Sequence, residues 1–194
     1  MGFKDREIEI KLHTGSLSFL ETKDILESFF NRNSDLDDFS QDTYWKIPNQ
    51  ERAFSRLRNL GNEKFQLTIK KEDKLDTRDR IEIDLDLEPT YKYSILAYQD
   101  IAFGPSVGKI TKRYAVWFMD DLNKYKTVSC YAIQVNGKDI DGTFIEVEGP
   151  SMEYVETLTD SIMTRITDLK HCSGSLYNMF INPRRNSVYD WGQL

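Results

Sequence analysis

The sequence predicts an α+β domain in which eight antiparallel strands form a closed β-barrel, with helices packed against its outside. Three observations lead to this fold class. Segments with a strict two-residue alternation of polar and apolar residues recur along the chain, and short connections join most of them, which favours antiparallel pairing. Amphipathic helical segments are available to cover apolar sheet faces. Eight is also a number of strands that closes a barrel naturally.

The elements follow one another in a simple order. The segment 7–13 alternates as a strand does, and it is followed by a helix over about 16–32 and a polar loop up to residue 41. The other strands are predicted over 42–48, 53–59, 64–72, 78–87, 109–119, 125–135 and 143–149. Further helices are predicted over 91–102, from Pro150 to about Leu169, and as one turn over 175–181.

Length and composition limit the class of protein. The 194 residues are typical of one domain, which we place at 1–194 with a polar tail over 183–194. The net charge of −6 argues against a protein that binds nucleic acid through bulk positive charge. No apolar run approaches the roughly 20 residues that cross a bilayer, and the first residues lack the apolar part of a secretory signal. We therefore expect a cytoplasmic protein without a membrane partner, and the oligomeric state stays open, a homodimer included.

Alternation sorts the charged residues onto one face of each predicted strand. In the first strand Glu7, Glu9 and Lys11 share a face, and Ile8 and Ile10 share the other. The later strands repeat this arrangement with Arg56, Arg58, Thr68, Lys70, Arg80, Glu82, Asp84, Asp86, Lys112, Glu146 and Glu148. For any single strand, a solvated face is the commoner explanation.

Three features favour a charged interior over a solvated face. The apolar faces are numerous enough to need helices outside the sheet. The two Glu-x-Glu pairs lie near opposite ends of the chain, and a closing barrel brings its first and last strands together. The basic residues keep single-face spacing and are not mixed with acids, as they would be in a lattice of salt bridges. A lumen with carboxylates on one side and cations on the other fits a polyphosphate with its divalent metal.

These residues, in this order, resemble the CYTH superfamily of triphosphate tunnel metalloenzymes, which includes class IV adenylate cyclases, thiamine triphosphatases and inorganic tripolyphosphatases. The resemblance extends from about residue 5 to residue 180. The matching motifs are Glu7-x-Glu9-x-Lys11, Arg56-x-Arg58, Thr68-x-Lys70, Arg80-x-Glu82, Lys112 and Glu146-x-Glu148. Two positions depart from the family pattern. Tyr114 stands where the family has an arginine, with Arg113 next to it, and Asn136 lies near an expected aspartate.

The resemblance implies a phosphohydrolase that requires Mg²⁺ or Mn²⁺ and acts on a triphosphate-containing substrate, such as inorganic tripolyphosphate, a nucleoside triphosphate or another organic triphosphate. The implied metal ligands are Glu7, Glu9, Glu82, Glu146 and Glu148. The implied phosphate contacts are Lys11, Arg56, Arg58, Lys70, Arg80, Lys112 and Arg113. Lys11 joins Glu7, Glu9, Glu146 and Glu148 in the implied catalytic set.

Two other functions remain open at this point. The same tunnel could cyclise ATP to cyclic AMP and pyrophosphate, since only the pose of the substrate would differ. A protein without catalytic activity could bind a nucleotide, polyphosphate or the 5′-triphosphate end of RNA. The two intact Glu-x-Glu pairs favour catalysis, because acidic residues in the lumen would not help a pure anion-binding site.

Overall fold

The architecture is taken from a computed structural model of the chain. The structure describes residues 4–50, 53–61, 64–72, 79–120, 126–172 and 174–183. The side chains of residues 4–7, 72 and 79–82 lie outside that description, although their backbones are assigned to strands. The predicted polar tail lies outside it from residue 184 onward.

The described part of the chain contains ten strands and three α-helices, and each of the eight predicted strands is present. The strands are β1 (Lys4–His13), β2 (Leu36–Lys46), β3 (Ala53–Asn59), β4 (Phe65–Glu72), β5 (Asp79–Leu87), β6 (Gly108–Phe118), β7 (Thr127–Val135), β8 (Lys138–Asp139), β9 (Phe144–Gly149) and β10 (Lys170–Cys172). The helices are α1 (Phe19–Phe30), α2 (Lys92–Phe103) and α3 (Met152–Met163). A 3₁₀ turn precedes α2, and a π-helical turn spans Tyr177–Ile181.

The strands form one sheet in which every pairing is antiparallel, so the α+β antiparallel fold class is confirmed. The order of neighbours is β1-β5-β4-β3-β2-β6-β7. Strand β9 pairs with β7 on one side and with β1 on the other, which makes the first predicted strand a neighbour of the last. Short β8 and β10 add to β7 and β1 respectively.

Two predicted boundaries were wrong. The polar segment before residue 42 is not a loop throughout, because β2 begins at Leu36 and pairs along β6 from Leu36 opposite Val116 onward. Pairing with β6 overrides the polar composition, and Asp37 is neutralised by Lys23 at 2.7 Å. The last α-helix starts after Ser151, whose side chain caps it, and ends at Met163, before the left-handed backbone of Asp168 (φ 66°).

One face of the sheet, which we call the apolar face, packs under the helices. Ile10 and Leu12 of β1 are buried with Leu26 of α1 and with Val155 and Ile162 of α3. A second cluster holds Leu57 and Leu67 against Ile95, Leu96 and Phe103 of α2. Each buried side chain of this size stabilises the fold by about 1.5–3 kcal/mol. The opposite face, which we call the charged face, carries the remaining alternating residues.

The beginning of α1 is defined by its own sequence. Ser18 and Glu21 form a capping box, in which each side chain accepts a hydrogen bond from the other residue's backbone N–H. Among the residues that the structure describes, none of the helices combines the length and the apolar composition that a membrane crossing requires.

The packing of α1 against the apolar face predicts a difference between two leucines of one helix. Leu26 is 1% exposed and Leu20 is 54% exposed. Leu26→Ala should lower the free energy of unfolding by about 2–5 kcal/mol, because it leaves a cavity under the helix. Leu20→Ala, the matched control, should change it by less than about 0.5 kcal/mol. Urea unfolding of both variants checks this, and equal losses would contradict the described packing.

Candidate functional site

The acidic side of the site is built by the pairing of β1 with β9. The register places Glu9 opposite Glu148 and Lys11 opposite Glu146, and alternation directs all four side chains to the charged face. Carboxylate oxygens of Glu9, Glu146 and Glu148 lie within 4.8 Å of one another. Glu9 is only 5% exposed. Three carboxylates therefore meet in a largely buried position.

Lys11 compensates part of this negative charge. Its Nζ atom lies 2.8 Å from Oε1 of Glu146 and 3.3 Å from Oε1 of Glu9. Burial raises the pKa of Glu146, but the charges of Lys11 and Lys112 and the hydrogen bond from Lys11 outweigh it, and the pKa falls to about 2. Glu146 is therefore ionised at neutral pH and can act as a ligand.

Strand β7 holds two of these carboxylates in place. The hydroxyl of Tyr131 donates a hydrogen bond to Oε1 of Glu146 at 2.6 Å, and Oγ1 of Thr127 donates to Oε2 of Glu148 at 3.1 Å. Burial, together with the charge of Glu146, keeps the pKa of Tyr131 well above its ordinary value, so Tyr131 stays a donor. The sequence analysis did not include Thr127 or Tyr131. Their position next to β9 on the charged face became visible only with the strand pairing.

The basic side of the site faces the carboxylates across a cavity of about 100 Å³. Arg56, Arg58, Lys70 and Lys112, from β3, β4 and β6, line this cavity together with Glu9, Lys11, Glu146 and Glu148. Burial lowers the pKa of Lys112 first, the charge of Arg58 lowers it further, and Asp42 and Glu146 raise it in part, so that it stands at about 8. The Nζ atom of Lys112 also lies 4.7 Å from the centroid of the Tyr131 ring.

A carboxylate that the sequence analysis missed lies among these cations. Asp42 of β2 has no exposed surface, and its oxygens accept from Nε and Nη2 of Arg58 at 2.7 and 2.9 Å. The hydroxyl of Tyr44 donates to it at 3.1 Å. Burial raises the pKa of Asp42, but the charges of Arg58 and Arg56 hold it well below its usual range. Asp42 precedes Tyr44 by two residues on one predicted strand, and that spacing was the available signal.

Aromatic residues also line the cavity, namely Tyr44, Phe54 and Tyr177. The rings of Phe54 and Tyr177 stack with centroids 4.6 Å apart, and those of Tyr44 and Tyr177 lie 5.7 Å apart. Nζ of Lys11 donates to the backbone oxygen of Gly174 at 3.4 Å. The segment that carries the π-helical turn thus contributes to the site.

The structure brings together eight of the predicted site residues, namely Glu9, Lys11, Arg56, Arg58, Lys70, Lys112, Glu146 and Glu148. It does not bring Arg113 to them. The Arg113 guanidinium lies on the opposite face of β6, 4.7 Å from the ring centroid of Phe19 and 5.8 Å from that of Phe39. Strand alternation explains this, because Arg113 directly follows Lys112.

For Glu7, Arg80 and Glu82 only the backbone lies within the described part of the chain. Glu7 pairs with Arg80 across β1 and β5, and Glu82 pairs with Lys70 across β5 and β4. Their predicted roles therefore stay predictions.

The two departures from the family pattern have different positions. Tyr114 shares the face of Lys112 and pairs with Asp38 of β2. Asn136 lies in the turn after β7 with a left-handed backbone (φ 51°), and its Oδ1 accepts from the backbone N–H of Lys109 at 2.9 Å. Asn136 thus stabilises a turn.

The donor set fits a hard divalent cation. Such ions prefer carboxylate oxygens, and Glu9, Glu146 and Glu148 supply at least three of them within a few ångströms. The arginines and lysines opposite are suited to phosphate oxygens. The arrangement can therefore hold a cation and a polyanion side by side.

Several solved structures share this fold. A protein from Bacillus halodurans, described as a "putative adenylate cyclase", matches at a TM-score of 0.64 and 17% identity over 93% of this chain and 99% of its own. The PH1012 protein of Pyrococcus horikoshii OT3 matches at 0.62 and 20% identity over 91% and 99%. The Hippeastrum protein HpAC1 matches at 0.66 and 16% identity over 90% and 94%.

No family profile matches the sequence, and no curated protein does either. At identities of 16–20% the structural likeness shows the fold. The resemblance inferred from the motifs is confirmed at that level.

The lowered pKa of Glu146 predicts how stability depends on pH. Its pKa is about 2 in the folded chain against 4.5 for the ordinary group, so its contribution is present above about pH 4.5 and is lost as pH falls toward 2. The free energy of unfolding should therefore decrease by about 2 kcal/mol or more between pH 5 and pH 2.5, and Glu146→Gln should flatten that slope. Urea unfolding across this range checks the prediction, with exposed Glu153→Gln as the charge-matched control. Parallel curves for wild type and Glu146→Gln would contradict it.

Proposed function

We propose that this protein is a divalent-metal-dependent triphosphatase that hydrolyses a triphosphate-containing substrate to a diphosphate and orthophosphate. One observation carries the proposal: three carboxylates with oxygens within 4.8 Å of one another share one cavity with five buried or half-buried cations. A site for an anion alone would gain nothing from Glu9, Glu146 and Glu148. A site for a metal alone would gain nothing from the arginines and lysines opposite.

The metal we propose is Mg²⁺ or Mn²⁺, held by Glu9, Glu146 and Glu148. Both ions take oxygen ligands and keep some of their waters, and the open cavity beside the carboxylates allows this. When bound, such an ion would neutralise phosphate charge and activate the attacking water. Glu7 and Glu82 remain proposed contributors to the same set, since they belong to the strands that flank the site.

The chain's own residues would bind and orient the phosphate chain. Arg56 and Arg58 can each make bidentate contacts with phosphate oxygens, and Lys11, Lys70 and Lys112 act as point charges. In phosphoryl transfer the protein works mainly by positioning groups and by balancing charge. The bridging oxygen leaves with the diphosphate when water attacks the terminal phosphorus. Cations fixed on strands would stabilise that leaving charge with little rearrangement.

We also propose that the sheet is a closed eight-stranded barrel with the charged face inside. The support is the double pairing of β9, which neighbours β7 on one side and β1 on the other. The burial of Glu9, Lys11, Arg56 and Lys70 on the charged face points the same way, since a solvated face would leave them exposed.

Hydrolysis is favoured over cyclisation of ATP by what is known of one structural neighbour. HpAC1, although called an adenylyl cyclase, has a dominant triphosphatase activity. The charged side chains that line the cavity suit a phosphate chain, which all the candidate substrates share. Inorganic tripolyphosphate, nucleoside triphosphates and RNA 5′-triphosphate ends are all candidate substrates on these grounds.

A substrate panel tests the reaction. Tripolyphosphate, ATP, GTP, thiamine triphosphate and 5′-triphosphate RNA are each incubated with Mg²⁺ or Mn²⁺, and orthophosphate, pyrophosphate and cyclic AMP are all quantified. We expect orthophosphate from at least one substrate and no product in EDTA, because the carboxylates cannot neutralise phosphate without a cation. Cyclic AMP with pyrophosphate would support the cyclase instead. Tight binding without turnover would support a sensor.

The role of Glu9 predicts a specific loss. Glu9→Gln removes one charged ligand but keeps the side-chain shape, so kcat should fall by at least about 100-fold and Mn²⁺ should bind at least about tenfold more weakly. Turnover assays and Mn²⁺ titration by calorimetry measure the two effects. Glu153→Gln, an exposed change on α3, is the control and should alter neither value. Full activity of Glu9→Gln would overturn the assignment of the metal site.

A further inference from the structure

Asp42 differs from every residue assigned to the site so far. It is a carboxylate on the basic side of the cavity, and it has no exposed surface. It does not line the cavity, although its partners Arg56, Arg58 and Lys112 do. Asp42 therefore lies behind the cations that would meet a phosphate.

Its strongest partner is Arg58, which is its direct neighbour across β2 and β3. Oδ1 of Asp42 accepts from Nε of Arg58 at 2.7 Å, and Oδ2 accepts from Nη2 at 2.9 Å. This two-point contact fixes the plane of the guanidinium, because a single hydrogen bond would allow it to rotate. A phosphate that binds Arg58 in the same bidentate way would meet its other edge, formed by Nη1 and Nη2.

Two more cations share the same carboxylate. Nη1 of Arg56 lies 3.8 Å from Oδ2 of Asp42, and Nζ of Lys112 lies 3.9 Å from it. Three positive charges from β3 and β6 thus surround one negative charge on β2. Cations this close repel one another when nothing compensates them, and they would then spread apart. The carboxylate keeps them at a fixed separation.

The hydroxyl of Tyr44 holds Asp42 itself, since it donates to Oδ2 at 3.1 Å. Tyr44 and Asp42 lie two residues apart on β2 and therefore share a face. Every described polar contact of Asp42 thus comes from a side chain that lines the cavity. The charge of Asp42 therefore acts on the side chains that would face a bound phosphate.

We propose that Asp42 is a positioning residue for the reaction, which sets the orientation of Arg58 and the spacing of Arg58, Arg56 and Lys112 without touching the substrate. The inference rests on the proposed function, because it assigns these cations to the phosphate chain. Asp42 has two opposing effects. Its geometry favours the transition state, whereas its negative charge weakens the attraction of the basic side of the cavity for an anion.

These opposing effects give Asp42→Asn a distinctive signature. With the metal-dependent enzyme and the substrate it turns over, kcat should fall at least about tenfold while KM stays within about threefold, because orientation is lost and attraction is not. In EDTA, calorimetry should show that Asp42→Asn binds inorganic tripolyphosphate at least as tightly as wild type does, because the basic side of the cavity has lost one negative charge. Asp100→Asn is the control, since Asp100 accepts from Nε1 of Trp45 at 2.7 Å on the apolar face. It should lower Tm without changing kcat or KM.

Arg58→Lys keeps the test decisive if Asp42→Asn does not fold. Lysine preserves the charge but can make neither the two-point contact with Asp42 nor a bidentate contact with phosphate, so kcat should again fall at least about tenfold, and an unchanged kcat would overturn the proposal. If both single variants fold, the double variant should lose less than the two single losses combined, because both changes disturb the guanidinium of Arg58.

Several results would overturn the proposal. Wild-type kcat in Asp42→Asn or Arg58→Lys would show that the contact is only structural, as would a loss confined to KM. Tripolyphosphate binding in EDTA that weakens more than about threefold in Asp42→Asn would contradict the proposed effect of its charge. If wild type turns over no triphosphate at all, the proposed function fails. The binding comparison in EDTA still tests whether the charge of Asp42 weakens the binding of an anion to the basic side of the cavity.

Discussion

Charges buried in a sheet must be compensated within a few ångströms, and the charged face of this protein is organised by that constraint. An uncompensated buried ion costs several kcal/mol. On the acidic side, Lys11 lies between Glu9 and Glu146, and on the basic side Asp42 lies among the cations. Strand register is therefore decisive, because a shift by one residue would turn these side chains toward the helices.

The two faces of the sheet have different roles. The apolar face under α1, α2 and α3 supplies the burial that stabilises the fold. The charged face can then carry groups suited to the recognition of ions. Because its side chains come from strands and not from loops, their positions are held by backbone pairing on both sides, which suits a site that works by preorganised charge.

The charges on the charged face are only partly compensated, with an excess of negative charge on one side and of positive charge on the other. On one side lie three carboxylates, two of which form ion pairs with Lys11, so a divalent cation would be attracted there. Several cations share Asp42 on the other, so a polyanion would be attracted there. A metal and a phosphate chain would complete the balance together, and each would favour the binding of the other. The hydroxyls of Thr127 and Tyr131 also fix the positions of two carboxylates on the acidic side through hydrogen bonds.

The sequence by itself determined eight of the ten described strands, the face of most of their charges and most of the candidate site, because a two-residue period is a local property of the chain. Eight predicted site residues line one cavity for this reason. Only the tertiary structure decided which charges meet. Asp42 was missed because its importance depends on Arg58 and Lys112, which belong to other strands. Arg113 was predicted to contact phosphate because it is basic, although its position directly after Lys112 puts it on the opposite face of β6. Register between strands distant in sequence is set by long-range pairing, and no local pattern contains it.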